Sequence, residues 1–201
     1  MEGNAHRIIL IRHGEADKSP EDADPGLTAT GHQQAQSLSK QLSQLFPEPE
    51  RVGLVSSPKT RALQTAIPTA SAWQKKIVEE PAVIEIPSPQ GLPLAERGKW
   101  IQALLHSSWS TITPAQQVWR ERTIAFLRQL GSTCTGADTM ATTLVFCHFM
   151  VINSVVAAIR GDDRVAQFHP DYTSCTELSL VSGDLWLVEL GREKNSGNRI
   201  R

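Results

Sequence analysis

The chain has 201 residues, 40% of them hydrophobic, with 20 Lys and Arg against 21 Asp and Glu and a formal net charge of −1 at pH 7. That length and apolar content suffice to bury one sizeable core, so the simplest organisation is a single domain over 1–190 followed by a polar tail, 191–201. The balanced charge, without a long basic block, argues against nucleic acid or an anionic membrane as partner, and the longest apolar runs have strand length rather than the length of a membrane span.

The run Ile8-Ile9-Leu10-Ile11 predicts a strand buried on both faces, and Arg12-His13-Gly14-Glu15 then stand at its carboxyl end, where open α/β sheets collect ligands. A histidine flanked by an arginine at such a place is a candidate nucleophile beside a candidate grip for phosphate. Thr28 to Leu45 carries Ala35, Leu38, Leu42 and Leu45 at helical spacing, with Thr28 or Thr30 able to cap its start. A second strand, Val52 to Ser56, runs into Ser57-Pro58-Lys59-Thr60-Arg61 and a helix from Lys59 to Trp73. Part of Ile77 to Ile86 reads as a third strand, after which Pro87, Pro89 and Pro93 break any regular element around Gly91. Helices are predicted over Leu94 to Leu105 and Pro114 to Leu130, with Pro114 in a first-turn position and Gly131 as a stop. Thr143 to Cys147 forms a strand that delivers His148 to the start of a helix, Phe149 to Ile159, stopped at Gly161. Two last strands, Glu177 to Val181 and Leu185 to Leu190, flank Ser182-Gly183-Asp184, a turn signal for a closing hairpin. Strands alternating with helices predict the α/β class, a mostly parallel mixed sheet with helices on both faces. Gly191 to Arg201 lacks an apolar period and is expected to fray.

Three widely spaced cysteines, Cys134, Cys147 and Cys175, form no CxxC pair and have no histidine at ligand spacing, so neither a disulfide framework nor a bound metal is expected. Cys147 sits inside an apolar run and reads as a small core residue. The start Met1-Glu2-Gly3-Asn4-Ala5 has no signal-peptide pattern, which points to the cytoplasm. Of five tryptophans, Trp100 and Trp109 are candidates for an exposed patch or the pocket entrance.

Four segments in order carry a resemblance: Arg12-His13-Gly14-Glu15, Leu27-Thr28-Ala29-Thr30-Gly31-His32, Ser56-Ser57-Pro58-Lys59-Thr60-Arg61-Ala62-Leu63-Gln64-Thr65-Ala66, and His148 after its strand. From Ile8 to about Leu190 the chain resembles the histidine phosphatase superfamily, also called the phosphoglycerate mutase-like family. The resemblance implies a three-layer α/β sandwich and a phosphohistidine intermediate, with no cofactor. It assigns His13 as nucleophile, Arg12 and Arg61 as phosphate-binding arginines, and His148 as the second histidine, donating to a phosphate oxygen. Thr28 is a further phosphate-binding candidate, although its commoner role is a helix cap. Val83-Ile84-Glu85-Ile86 resembles the family's acid segment only in its first part, so Glu85 is the expected general acid and Glu96 the reserve. Glu15 is expected to support Arg12 or Arg61. An insertion over about 81–112 corresponds to the family's cap over the active site.

Phe149 and Met150 depart from the small residues that often follow the second histidine, and they leave the substrate class more open than the reaction. The expected activity is metal-independent hydrolysis of a small organic phosphate. Alternatives are a protein phosphohistidine phosphatase, a phosphoglycerate mutase, and, in another class, a catalytically weak phosphate-binding regulatory protein. The mutase alternative lacks the paired arginines those enzymes use for a substrate carboxylate; Arg97 and Lys99 are candidates for binding an anionic substrate, and a solvated helix face explains them equally well.

Overall fold

Ile8 and Leu10 fall on one face of the first strand and Ile9 and Ile11 on the other, and all four are buried, so the strand needs a packed layer on each side. The computed structural model describes residues 5–19, 21–130 and 141–194. In it β1 (His6–Arg12) is followed by α1 (Ala29–Leu45), β2 (Val52–Ser56), α2 (Thr60–Trp73), β3 (Val78–Glu79), α3 (Arg97–Leu105), α4 (Pro114–Gln129), β4 (Thr142–Cys147), α5 (Phe149–Arg160), β5 (Cys175–Val181) and β6 (Asp184–Glu189). The strands form one sheet in the order β3-β2-β4-β1-β5-β6. The first four are parallel where they pair, and β5 and β6 are antiparallel, so the sheet is mixed as expected.

Two cores flank the sheet. Ile9, Ile11, Leu54, Leu144 and Phe146 pack against Leu38 and Leu42 of α1 and Ala66 and Ala70 of α2. Ile8, Leu10, Val145 and Cys147 face the other way, onto Leu127 of α4 and the apolar α5 residues Val151, Ile152, Val155 and Val156. Cys147 is a fully buried core thiol, and burial raises its pKa. Among the described residues no helix is long and apolar enough to cross a membrane.

Several boundaries follow local chemistry. Thr28 caps α1 by accepting from Gly31 N at 3.0 Å. Thr113 and Gln116 form a capping box at α4, with Pro114 in the first turn. Gly161 ends α5 with φ at 63°, a left-handed conformation suited to glycine. The third strand is only Val78–Glu79, because Pro81 opens a 3-10 turn over Pro81–Val83. Leu94–Glu96 is likewise a 3-10 turn before α3. Gly131 and Cys134 lie outside the described residues.

The tail is better anchored at its start than its composition suggests. Asp171 N donates to Arg192 O at 2.8 Å and Lys194 N to His169 O at 3.0 Å, and Arg192 pairs with Asp171 at 3.2 Å. The backbone groups of 169–171 need partners, and 192–194 supply them.

Candidate active site

The strand order sets β2, β4 and β1 side by side, and each ends in a polar residue: Ser57 after β2, His148 after β4 and His13 after β1. Parallel strands in register therefore bring together residues far apart in sequence. His13 N donates to Cys147 O at 3.0 Å and Ser57 N to Phe146 O at 2.9 Å, which extends the backbone ladder to the residues that carry the chemistry.

The His13 ring is buried and held at both nitrogens. Its Nδ1 lies 2.7 Å from Gly14 O, and Arg61 Nε donates to Nε2 at 3.3 Å. A carbonyl accepts and a guanidinium donates, so this pair of contacts assigns the proton to Nδ1 and the lone pair to Nε2. Burial, with the charges of Arg61 and Arg12, lowers the His13 pKa to about 3. The imidazole is thus neutral near pH 7, as a nucleophile must be.

Asp24 orients Arg61. It accepts from Thr60 N at 3.1 Å and Thr60 Oγ1 at 2.9 Å at the start of α2, and lies 3.6 Å from Arg61 Nη1. Arg12 is also largely buried, and its Nη1 donates to Pro170 O at 2.7 Å. Burial lowers the pKa of both arginines, against the opposing pull of Glu85 on each.

His148 is fully buried, its ring centroid 5.2 Å from that of His13. Its Nε2 lies 2.8 Å from Ser57 Oγ, which also accepts from Lys59 N at 3.3 Å. With the hydroxyl proton directed to Nε2, the ring carries its own proton on Nδ1, which has no partner among the described residues. Burial first, and then Arg61 and His13, push the His148 pKa well below that of a free histidine.

Glu85 follows the 3-10 turn after β3. Its Oε1 accepts from Ile86 N at 3.0 Å and from Met150 N in the first turn of α5 at 3.2 Å. Burial nevertheless dominates and raises its pKa, against the charge of Arg61. His13, Arg61, Glu85, Arg97 and Tyr172 line one cavity of about 410 Å³, together with apolar Leu94, Ala95 and Ile101. The stretch 81–112 thus supplies both the carboxyl group and part of the wall. The cavity thus holds a neutral nitrogen nucleophile, the Arg61 guanidinium and a carboxyl group of raised pKa, while His148 and Arg12 stand behind its wall, against the His13 and Tyr172 rings.

Residues 8–193 match the sequence profile of the histidine phosphatase superfamily (branch 1). The chain belongs to that superfamily. Among solved structures it is similar to the native mycobacterial glucosyl-3-phosphoglycerate phosphatase, at TM-score 0.71 and 19% identity, over 94% of this chain and 100% of that one. It is also similar to a putative α-ribazole-5′-phosphate phosphatase from Escherichia coli, at TM-score 0.67 and 22% identity, over 94% and 97%. A third is a phosphoserine phosphatase from Entamoeba histolytica in complex with 3-phosphoglyceric acid, at TM-score 0.69 and 20% identity, over 94% and 98%. No curated protein sequence matches significantly.

Four further residues weighed in the sequence stand outside the cavity wall. Thr28 does not line the cavity: its hydroxyl caps α1 and donates to Glu15 Oε1 at 2.8 Å. Glu15 is therefore tied to that cap rather than to Arg12 or Arg61. Glu96 is exposed and absent from the cavity wall, so of the two glutamates Glu85 is the one at the site, where Asp17 and Asp22 also line the cavity. Trp109 is 3% exposed and stacks on Trp119 with centroids 6.4 Å apart, so it forms neither an exposed patch nor the pocket entrance.

Sequence reasoning gave no role to Ser57, Asp24 or Tyr172. Ser57 lay inside a quoted motif, and Tyr172 is the chain's one tyrosine. Asp24 has no comparable mark, since its role depends on where α2 begins.

Proposed function

We propose that this superfamily member is a phosphomonoesterase that hydrolyses a small organic phosphate through a phosphohistidine. The observation that carries the reading is His13: a buried, neutral imidazole whose unprotonated Nε2 is held against Arg61. Arg61 and Arg12 would grip the phosphate oxygens, since planar guanidinium groups donate in pairs. His13 Nε2 attacks phosphorus in line, and the P–O bond to the leaving group breaks as Glu85 gives that oxygen a proton. His148 donates from Nδ1 to a phosphate oxygen as its charge grows. Glu85, now a carboxylate, takes a proton from water, whose oxygen attacks phosphorus and releases phosphate with His13 restored.

The chain's own cations and donors supply the charge stabilisation, so no metal or cofactor enters these steps. Glu85 and the wall of Leu94, Ala95 and Ile101 favour a small ester over a protein phosphohistidine, whose leaving nitrogen has different proton needs. The phosphatase names of the three similar structures, each for a small phosphate ester, support the same class. The free thiols of Cys147 and Cys175 suit a reducing, cytoplasmic setting.

The test is phosphate release, without added metal, from sugar phosphates, phosphoglycerates, aryl phosphates and a phosphohistidine protein, with His13→Ala as control. Turnover abolished in a folded His13→Ala variant, with acid-labile phosphate trapped on the unsubstituted chain, supports the reading. Near-normal turnover in that variant overturns it.

A further inference from the structure

Buried guanidinium groups are ordinarily held by a carboxylate, as Arg61 is by Asp24, but Arg12 makes no such ion pair among the described residues. Its guanidinium carbon instead lies 4.3 Å from the ring centroid of Tyr172 and 5.3 Å from that of Phe149. One backbone carbonyl, Pro170 O, takes Nη1 and the Tyr172 side chain offers a hydrogen bond beside its ring face, while the buried Nε has no partner among the described residues. We propose that Tyr172 and Phe149 are positioning residues that clamp Arg12 by cation–π contact and keep its charge and its remaining donors free for phosphate.

Aromatic faces attract a cation through the ring quadrupole, yet they consume no N–H donor and carry no net negative charge. A carboxylate in the same place would orient Arg12 equally well. It would also neutralise the guanidinium and repel an arriving phosphate dianion. The clamp therefore orients the arginine without weakening it as an anion receptor. The same charge helps hold His13 neutral, since Arg12 is one of the charges that lower its pKa.

The fold builds the clamp from both sides. Phe149 opens α5 directly after His148, and its outer neighbour is His169, with ring centroids 5.7 Å apart. Tyr172 belongs to the loop before β5, which is fastened to Arg12 itself: Thr173 N donates to Arg12 O at 3.0 Å, and Arg12 N to Ser174 O at 3.2 Å. Thr173 takes φ of 56°, a left-handed conformation that a β-branched residue adopts only when its surroundings demand it. The bulky residue after the second histidine thus packs on the arginine, and the loop pays for ring placement with strain.

This inference rests on the phosphate-site reading, and the test separates the two. Inorganic phosphate binding is measured by calorimetry on the full chain and on Tyr172→Phe, Tyr172→Leu, Phe149→Tyr and Phe149→Leu, with folding checked by thermal unfolding. The expected result is a Kd raised about 3- to 10-fold by each leucine and little changed by each aromatic exchange. On any ester the unsubstituted chain hydrolyses, the leucine variants should raise KM more than they lower kcat. Equal losses for Tyr172→Phe and Tyr172→Leu would make the hydroxyl the holding group and overturn the clamp. Unchanged Kd in both leucine variants would overturn it too. Failure of the unsubstituted chain to bind phosphate would overturn the phosphate site itself, and the clamp's role with it.

Discussion

Arg61 Nε donates to His13 Nε2 at 3.3 Å, so a residue that would grip the phosphate also caps the nitrogen that would attack it. In the free site this contact satisfies a buried lone pair. Substrate must draw the guanidinium onto its own oxygens, and that movement uncovers the nucleophile. The arginine charge meanwhile keeps protons off the ring.

The first expectation concerns pH. With the His13 pKa at about 3, the acid limb of kcat/KM should show no titration of His13 near 6.5, the value of a free histidine. Stability carries the complementary sign. The unfolded chain takes up a proton at His13 below about pH 6.5 and the folded chain does not, so stability is full above that pH and falls as pH drops toward 3. The slope is at most about 1.4 kcal/mol per pH unit for this group. Urea unfolding between pH 7 and 4 checks it: His13→Asn should show a shallower loss than the unsubstituted chain, and an identical slope would count against a neutral buried His13.

Glu85→Gln keeps an oxygen to accept from Met150 N and Ile86 N, so the variant should fold normally. It removes only the proton. Hydrolysis of an alkyl phosphate should fall about 100- to 10,000-fold, whereas an activated aryl phosphate, which needs little protonation, should lose less than about tenfold in the first step. Because burial raises the Glu85 pKa, its acid form persists closer to neutral pH, and activity should decline as pH rises through that value. The variant should lack this basic limb. Equal losses on both substrates would exclude Glu85 as the acid.

Gly31 offers a stability test of opposite sign to helix propensity. It lies in the first turn of α1, where alanine would ordinarily gain about 1 kcal/mol over glycine. A Cβ there would overlap the Glu15 carbonyl oxygen, and a Cβ on Gly14 would come within 2.8 Å of Gly31 O. Two backbones approach too closely for any side chain. Gly31→Ala should therefore destabilise by about 1–3 kcal/mol and lower the thermal midpoint by about 2–10 °C. A raised midpoint would show that the His13 loop yields easily.

These cases also show what was legible in the sequence. β1, β2, β4 and the two helix-opening residues Thr28 and Pro114 were readable because apolar runs and caps are local signals. His13 could be named because it stands at the end of an apolar run, and Arg61 and His148 because the segments around them resemble the superfamily's motifs. Ser57 and Tyr172 act through partners 91 and 160 positions away, His148 and Arg12, and such pairings exist only once the sheet order is set. The Phe149 departure was visible, but its partner was not: it faces Arg12 across the sheet ends. The third strand could be placed only as part of Ile77 to Ile86, and its extent is set by Pro81, which opens a 3-10 turn soon after the pairing with β2.

Arg97 bears on substrate choice. It stands at the start of α3 in the cavity wall, with no hydrogen bond or ion pair among the described residues, and its charge acts on Arg61, Glu85 and His148. An arginine left without an internal partner at the edge of an anion site is suited to a second anionic group on the substrate. Arg97→Gln should raise KM about 3- to 10-fold for 3-phosphoglycerate and less than about twofold for glycerol 3-phosphate, which lacks the carboxylate. Steady-state kinetics on that pair decides the matter. If both substrates lose equally, Arg97 serves the phosphate itself, through the same field that acts on Arg61; if the carboxylate substrate alone suffers, α3 reads the leaving group while the sheet ends perform the chemistry.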